Sequence, residues 1–233
     1  MEFTLDRMLD IAAFAVPAVI AITTHEAAHG YVADKLGDDT ARRLNRVTFN
    51  PFRHIDPVGT ILLPAVLLMS GTRFLFGWAK PVPVNFQRLR RPRRDMVLVA
   101  AAGPGINVAL AVLSAALLHL VPLFPEQAAS WFTLGLEQSV VFNLMLAIFN
   151  MLPLPPLDGG RVAIGLLPKP LAIRLARLER FGILIVLALF ILMPMLGAQI
   201  GYNLDPFGVL IGKPLGWLLN LVAWLTGHSV EGY

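Results

Sequence analysis

An apolar run of about thirty residues, 5 to 34, leaves this chain one way to fold there. It can cross a ~30 Å hydrocarbon core, which takes about 20 helical residues. Inside such a core the backbone N–H and C=O groups must pair within the segment, so the run has to be a helix. Yet it contains His25-Glu26-Ala27-Ala28-His29. On a helix the two histidines lie about 40° apart around the axis and roughly 6 Å along it, so both imidazoles leave one face and can meet at one metal ion. Glu26, one step after the first histidine, is placed to take a proton from water, the work this pattern gives its glutamate. Ionisable groups inside apolar spans are expensive and mark function; the bland alternative is a pair of helix-surface histidines.

Further apolar stretches at 95 to 121, 131 to 152, 181 to 199 and 214 to 227 extend the pattern, the last of them short. With 56% hydrophobic and 15% charged residues, the chain departs from soluble domains, which carry about 25% charged residues. The expectation is an all-α polytopic membrane protein of about five to six transmembrane helices, with a re-entrant segment and a short β-strand region at the cytoplasmic side. The chain reads as one domain over 1–233, with a catalytic core at about 5–165 and additional helices at about 181–227. The first 24 residues carry Glu2, Asp6 and Asp10 and no small-x-small site, so they read as a retained span rather than a cleaved signal peptide. Cysteine is absent, which excludes disulfides and Cys-ligated zinc.

The net charge of +4 sorts by side. Val58 to Met69 is apolar but too short to cross comfortably. Basic loops flank it on both sides: Lys35, Arg42, Arg43, Arg46 and Arg53 before, and Arg73, Lys80, Arg88, Arg90, Arg91, Arg93 and Arg94 after. If basic loops stay cytoplasmic, residues 57 to 71 enter and return; a full span is the alternative, with Leu75 and Phe76 lengthening it. Arg161, Lys169, Arg174, Arg177 and Arg180 then also fall inside. Of nineteen basic residues only Arg7 and Lys213 remain outside, which places the amino terminus outside and the carboxyl terminus inside. The run Arg88 to Arg94 reads as a topology determinant beside anionic headgroups rather than a nucleic-acid patch. No nucleic acid is expected as a partner.

A catalytic zinc takes three protein ligands and leaves a fourth position open. Depth narrows the choice of the third. His25 lies ten residues before Lys35, about 15 Å in from the cytoplasmic boundary. His119 and Glu137 fall at the outer ends of their spans. Asp158, in Leu154-Pro155-Pro156-Leu157-Asp158-Gly159-Gly160, sits about 16 Å deep if a helix resumes toward Lys169. Prolines break the helix there and glycines permit close backbone approach. A capping Asp at a kinked helix end is the bland reading. His54 and Asp56 are weaker candidates, equally readable as residues that start a helix before Pro57.

Gly103-Pro104-Gly105-Ile106-Asn107 lies at similar depth, about 18 Å into the span that starts near Asp95. Small residues there let another helix pack closely. The Asn107 amide can serve as an oxyanion donor or substrate contact, or simply as an interhelical hydrogen bond. Asn150 reads as scaffold.

His25-Glu26-x-x-His29, then Gly103-Pro104-x-x-Asn107, then Asn150-x-Leu152-Pro153 with Leu157-Asp158-Gly159-Gly160, resemble in order and placement the site-2 protease family of intramembrane zinc metalloproteases. Segments Arg46 through Thr60 and Gly77 through Asn85 look like its compact prokaryotic branch, without a PDZ or CBS domain. The resemblance implies one Zn2+ per chain held by His25, His29 and Asp158, with Glu26 as general base. It implies Asn107 as a residue near the active site that binds substrate or stabilises the intermediate. The implied activity is hydrolysis of peptide bonds in or near transmembrane segments of membrane-anchored proteins, in a prokaryotic cell membrane, with the active site facing the cytoplasm. The alternatives are a metal transporter and a zinc-binding scaffold without catalysis. Trp78 to Phe86 reads as an extended edge strand, since Pro81 and Pro83 forbid helix. In the family such a strand borders the cleft, and strand addition to it would hold an unwound substrate.

Overall fold

The computed structural model describes residues 5–69 and 79–228. Helix α1 (Leu5–Lys35) runs for 31 residues through the His-Glu-x-x-His pattern, with Pro17 inside it. Ala13, Ala21, Ala27 and Ala33 are buried along it, and such small side chains let neighbouring helices approach closely. The helix stops at Gly37, whose φ of +113° favours glycine, and Asp38 N–H closes the end on the Ala33 carbonyl at 2.9 Å.

Pro57 opens a turn of π-helix, Pro57–Leu62, capped by Asp56 Oδ1, which accepts from Val58 N and Gly59 N. It leads into α2 (Leu63–Met69). The stretch expected to be re-entrant is thus helical as far as Met69, and its remainder, with Trp78, lies outside the described residues. Helix α3 (Pro92–Leu118) starts on a proline, as helices tolerate at their first position. Helix α4 (Glu126–Asn150) is followed by the Met151–Leu157 loop and the short α5 (Asp158–Leu166). Helix α6 (Lys169–Gln199) contains a 3-10 turn at Glu179–Phe181 and a π turn at Ala188–Leu192. Helix α7 (Gly208–Thr226) has 19 residues, longer than the short last span expected, and ends at Gly227 with a φ of +76°. It starts earlier because Asp205 Oδ1 accepts from Gly208 N at 2.8 Å, a cap ahead of glycines that hide the helix in the sequence.

Helices α3, α4, α6 and α7 are long and apolar enough to cross a membrane. α1, α3 and α4 pack on one another, α5 packs on α3, and α7 covers α3 and α4. Ala111, Ala115, Val140, Leu144 and Val222 form the core among α3, α4 and α7. Leu152, Val186, Phe190 and Ile211 form a second core between the loop after α4, α6 and α7. Leu184 and Trp224 are 64% and 72% exposed, within a broad apolar outer surface. Water would penalise such a surface, whereas lipid solvates it; the molecule is an integral membrane protein.

The expected edge strand is corrected. Among the described residues no strand forms: Ala79–Asn85 has no regular secondary structure and joins no ladder. Pro81 and Pro83 have no N–H to give a neighbouring strand. The remaining groups go to side chains and loops instead. Lys80 N donates to the His54 carbonyl at 2.8 Å, and the Lys80 carbonyl accepts from buried Arg46 Nη2 at 2.8 Å. Asn85 N donates to Asp38 Oδ2 at 2.6 Å.

Candidate metal centre

His25 and His29 share one face of α1, as their spacing requires, with ring centroids 4.7 Å apart and planes at 83°. Asp158 arrives from α5. The chain can deliver it there because Gly159 and Gly160 fold against the loop behind them. A Cβ on Gly159 would fall 2.2 Å from the Met151 carbonyl oxygen, and one on Gly160 would fall 2.4 Å from Pro155 N. Any side chain at either position would push Asp158 away.

The three donors meet closely. His25 Nε2 and His29 Nε2 are 3.1 Å apart, and Asp158 Oδ2 lies 3.1 Å from the first and 3.3 Å from the second. Two histidines are buried and Asp158 is largely so. Tetrahedral zinc with bonds of about 2.0–2.1 Å has ligand–ligand edges of roughly 3.3 Å, so the triangle fits that ion. The protonation pattern fits too. His29 Nδ1 lies 2.7 Å from the Val99 carbonyl, which can only accept, so the proton is on Nδ1 and the lone pair on Nε2. His25 Nδ1 lies 2.6 Å from Asn107 Oδ1. Two imidazole lone pairs and a carboxylate oxygen at these distances repel unless a cation lies among them. Gly103 of α3 supplies the room, since a Cβ there would fall 2.5 Å from His25 Nε2 and 2.6 Å from His29 Nε2.

Glu26 sits beside this triangle and is half-buried. Its Oε2 accepts from Val82 N at 2.7 Å, so the Ala79–Asn85 segment lies against this carboxylate. Asp38, fully buried at the end of α1, and Arg46 hold that segment at its two ends. Outside the site, Asp39 ties the turn after α1 to Arg43 at 2.6 Å and to Arg88 at 3.1 Å. Burial pushes Asp39 up, but the hydrogen bond and charge of Arg43, with the charge of Arg88, outweigh it and hold the carboxyl below the usual range.

The sequence candidates separate cleanly. His25, His29 and Asp158 converge, and Glu26 lies beside them. Asn107 is fully buried, bonded to His25, to the Ala21 carbonyl and to Asn143. Asn150 donates to its own helix at the Leu146 carbonyl. Asp56 caps a helix, His54 Nε2 meets the Thr48 carbonyl at 3.0 Å, and neither joins the triangle. His119 is far from it, stacked on His228 with centroids 4.2 Å apart. Sequence reasoning missed the Val99 carbonyl and the Val82 amide, because backbone groups carry no signature. It also missed Asn143, whose signal was available: an amide inside an apolar span.

The chain is 41% identical over 194 residues to "Putative zinc metalloprotease YwhC" of Bacillus subtilis, covering 78% of this chain and 85% of that protein. It is 30% identical over 174 residues to "Putative zinc metalloprotease Rip2" of Mycolicibacterium smegmatis, covering 74% of this chain and 64% of the relative. A protein of the same name in Mycobacterium tuberculosis is 28% identical over 211 residues, covering 91% and 71%. No protein-family model and no solved structure matches the chain.

Proposed function

Because the chain belongs to the site-2 protease family of intramembrane zinc metalloproteases, we propose that it cuts membrane-anchored proteins in or near their transmembrane segments, with His25, His29 and Asp158 holding one Zn2+ and Glu26 as general base. The observation that carries this reading is the triangle of donors at 3.1–3.3 Å beside the Glu26 carboxylate. Zinc held by two imidazoles and a carboxylate polarises a carbonyl and brings the pKa of water toward about 7.

The residues divide the remaining work. Glu26 takes a proton as the oxygen of the attacking water bonds to the scissile carbonyl carbon. The same carboxyl returns that proton to the amine nitrogen as the C–N bond breaks, and Glu26 ends ionised as it began. Val82 N–H holds one Glu26 oxygen, leaving the other for the proton. Asn107, enclosed among helices, orients His25. A helical substrate hides its peptide bonds in its own hydrogen bonds and must be unwound.

The whole chain acts as one domain whose core ends near residue 165, with α6 and α7 as additional helices. The basic loops support an orientation with the site open to the cytoplasm, and the likeness to the compact prokaryotic branch supports a prokaryotic plasma membrane. Arg161, stacked over Phe86 at 5.1 Å, stands at that side. Purified protein is tested on a transmembrane test peptide, wild type against Glu26→Gln, with zinc content measured on both. The expected result is zinc in both and cleavage by wild type only, with a loss of at least about 10²-fold in the variant. Zinc in both and no cleavage by either, over a panel of peptides, would favour a transporter or a scaffold.

A further inference from the structure

Behind His25 a line of buried polar groups runs between α1, α3 and α4. Asn107 Nδ2 lies 3.2 Å from the Ala21 carbonyl and 2.8 Å from Asn143 Oδ1. Asn143 Nδ2 lies 2.9 Å from the Ser139 carbonyl and 3.3 Å from Ser139 Oγ, which meets Ser114 Oγ at 2.8 Å. Asn107 is 0% and Asn143 1% exposed, so both are enclosed within the bundle.

The line has a direction. A backbone carbonyl only accepts. The Ala21 carbonyl therefore takes the Asn107 NH2, and the Ser139 carbonyl takes the Asn143 NH2. Each amide then turns its oxygen toward the metal triangle: Asn143 Oδ1 accepts from Asn107, and Asn107 Oδ1 accepts from His25 Nδ1–H. Protonation at Nδ1 puts the lone pair on Nε2, the atom that faces Asp158 and His29. With the amides reversed, an NH2 group would face His25 Nδ1, the proton would move to Nε2, and that atom could no longer bind a metal. His29 meets the Val99 carbonyl directly. His25 leans on an amide instead, and two acceptors keep the NH2 of that amide from turning toward His25: the Ala21 carbonyl and Asn143 Oδ1.

We propose that Asn143 is a positioning residue for the zinc site: accepting from Asn107 at the shorter distance, beside the Ala21 carbonyl, it holds that amide's orientation, and through it the Nε2 lone pair of His25. The proposal rests on the reading of His25 as a zinc ligand and adds a residue that no part of that reading uses. Outer groups of this kind typically set metal affinity by 10–100-fold.

The test uses the full chain in detergent, with zinc affinity from chelator competition and the 15N resonances of the His25 ring in zinc-loaded protein. In wild type the ring should carry its proton on Nδ1 and bind through Nε2; the reverse arrangement would overturn the proposal without any variant. Asn143→Leu keeps the shape and removes the acceptor. It should bind zinc about 10–100-fold more weakly and show a shifted or broadened His25 Nδ1–H resonance. Asn143→Asp, neutral when buried, replaces both bonds with its C=O and O–H and should restore affinity to within about threefold of wild type. Ser114→Ala removes a hydroxyl from the far end of the line but leaves both carbonyl anchors, and should also stay within about threefold. Wild-type affinity and an unchanged His25 Nδ1–H resonance in Asn143→Leu, or an equal loss in Ser114→Ala, would overturn the proposal. Failure of the underlying reading looks different: zinc affinity in the wild type would then be indifferent to His25→Ala.

Discussion

Gly103 fixes how near α3 can come to the two histidines. Both rings are held from behind at Nδ1, by Asn107 and by the Val99 carbonyl, so neither can swing away from a methyl group 2.5–2.6 Å from its Nε2. Gly103→Ala should therefore fold, since alanine suits a helix, yet lose zinc affinity on the order of 10–100-fold, the scale on which ligand orientation matters. Chelator competition measures it, and undiminished affinity would contradict the packing described. At this scale the sequence was most legible. The i, i+4 histidines and the depth of Asp158 follow from helix geometry alone. What it withheld was the direction in which Asn107 points. An amide at the right depth suggests a contact with substrate, and only the packing of α4 against it, bringing Asn143 to 2.8 Å, turns it toward His25.

Among the elements, Ala79–Asn85 departs furthest from expectation. That it would not be helical was legible from Pro81 and Pro83, but a strand also needs a partner, and no pattern in the chain named one. What holds the segment is a carboxylate. Asp38, fully buried, accepts from Asn85 N, from Thr40 N at 3.1 Å and from the Thr40 hydroxyl. Asp38→Ala strands those donors and should cost about 2–4 kcal/mol, from hydrogen bonds to a charged group worth about 1.5–3 kcal/mol each, partly recovered by water. Amide exchange at Val82 and Asn85 should accelerate, cleavage should fall, and zinc should still bind, because the triangle does not include this segment. Unchanged exchange at both amides would show that Asp38 is not the tether. The beginning of α7 was hidden for a related reason: Gly208 and Gly212 read as breakers, while the Asp205 side chain that starts the helix acts through one hydrogen bond.

For the molecule as a whole, the sequence specified an all-helical membrane protein because apolar length and backbone satisfaction permit little else. The packing of α1, α3 and α4 could not be read in the same way, since long apolar helices carry weak facing preferences. The structure finds them in small residues along α1 and in the polar line from His25 to Ser114. That arrangement puts the donor triangle inside the bundle rather than on a surface, and the proposed zinc-dependent hydrolysis takes place there. The most direct measurement is mass-spectrometric mapping of the cut made in a transmembrane peptide by purified protein as prepared, after chelation, and after zinc is returned. The expected result is a cut in or near the apolar segment, abolished by chelation and restored by zinc. A cut that survives removal of the metal, or one confined to soluble tails far from the membrane, would contradict it.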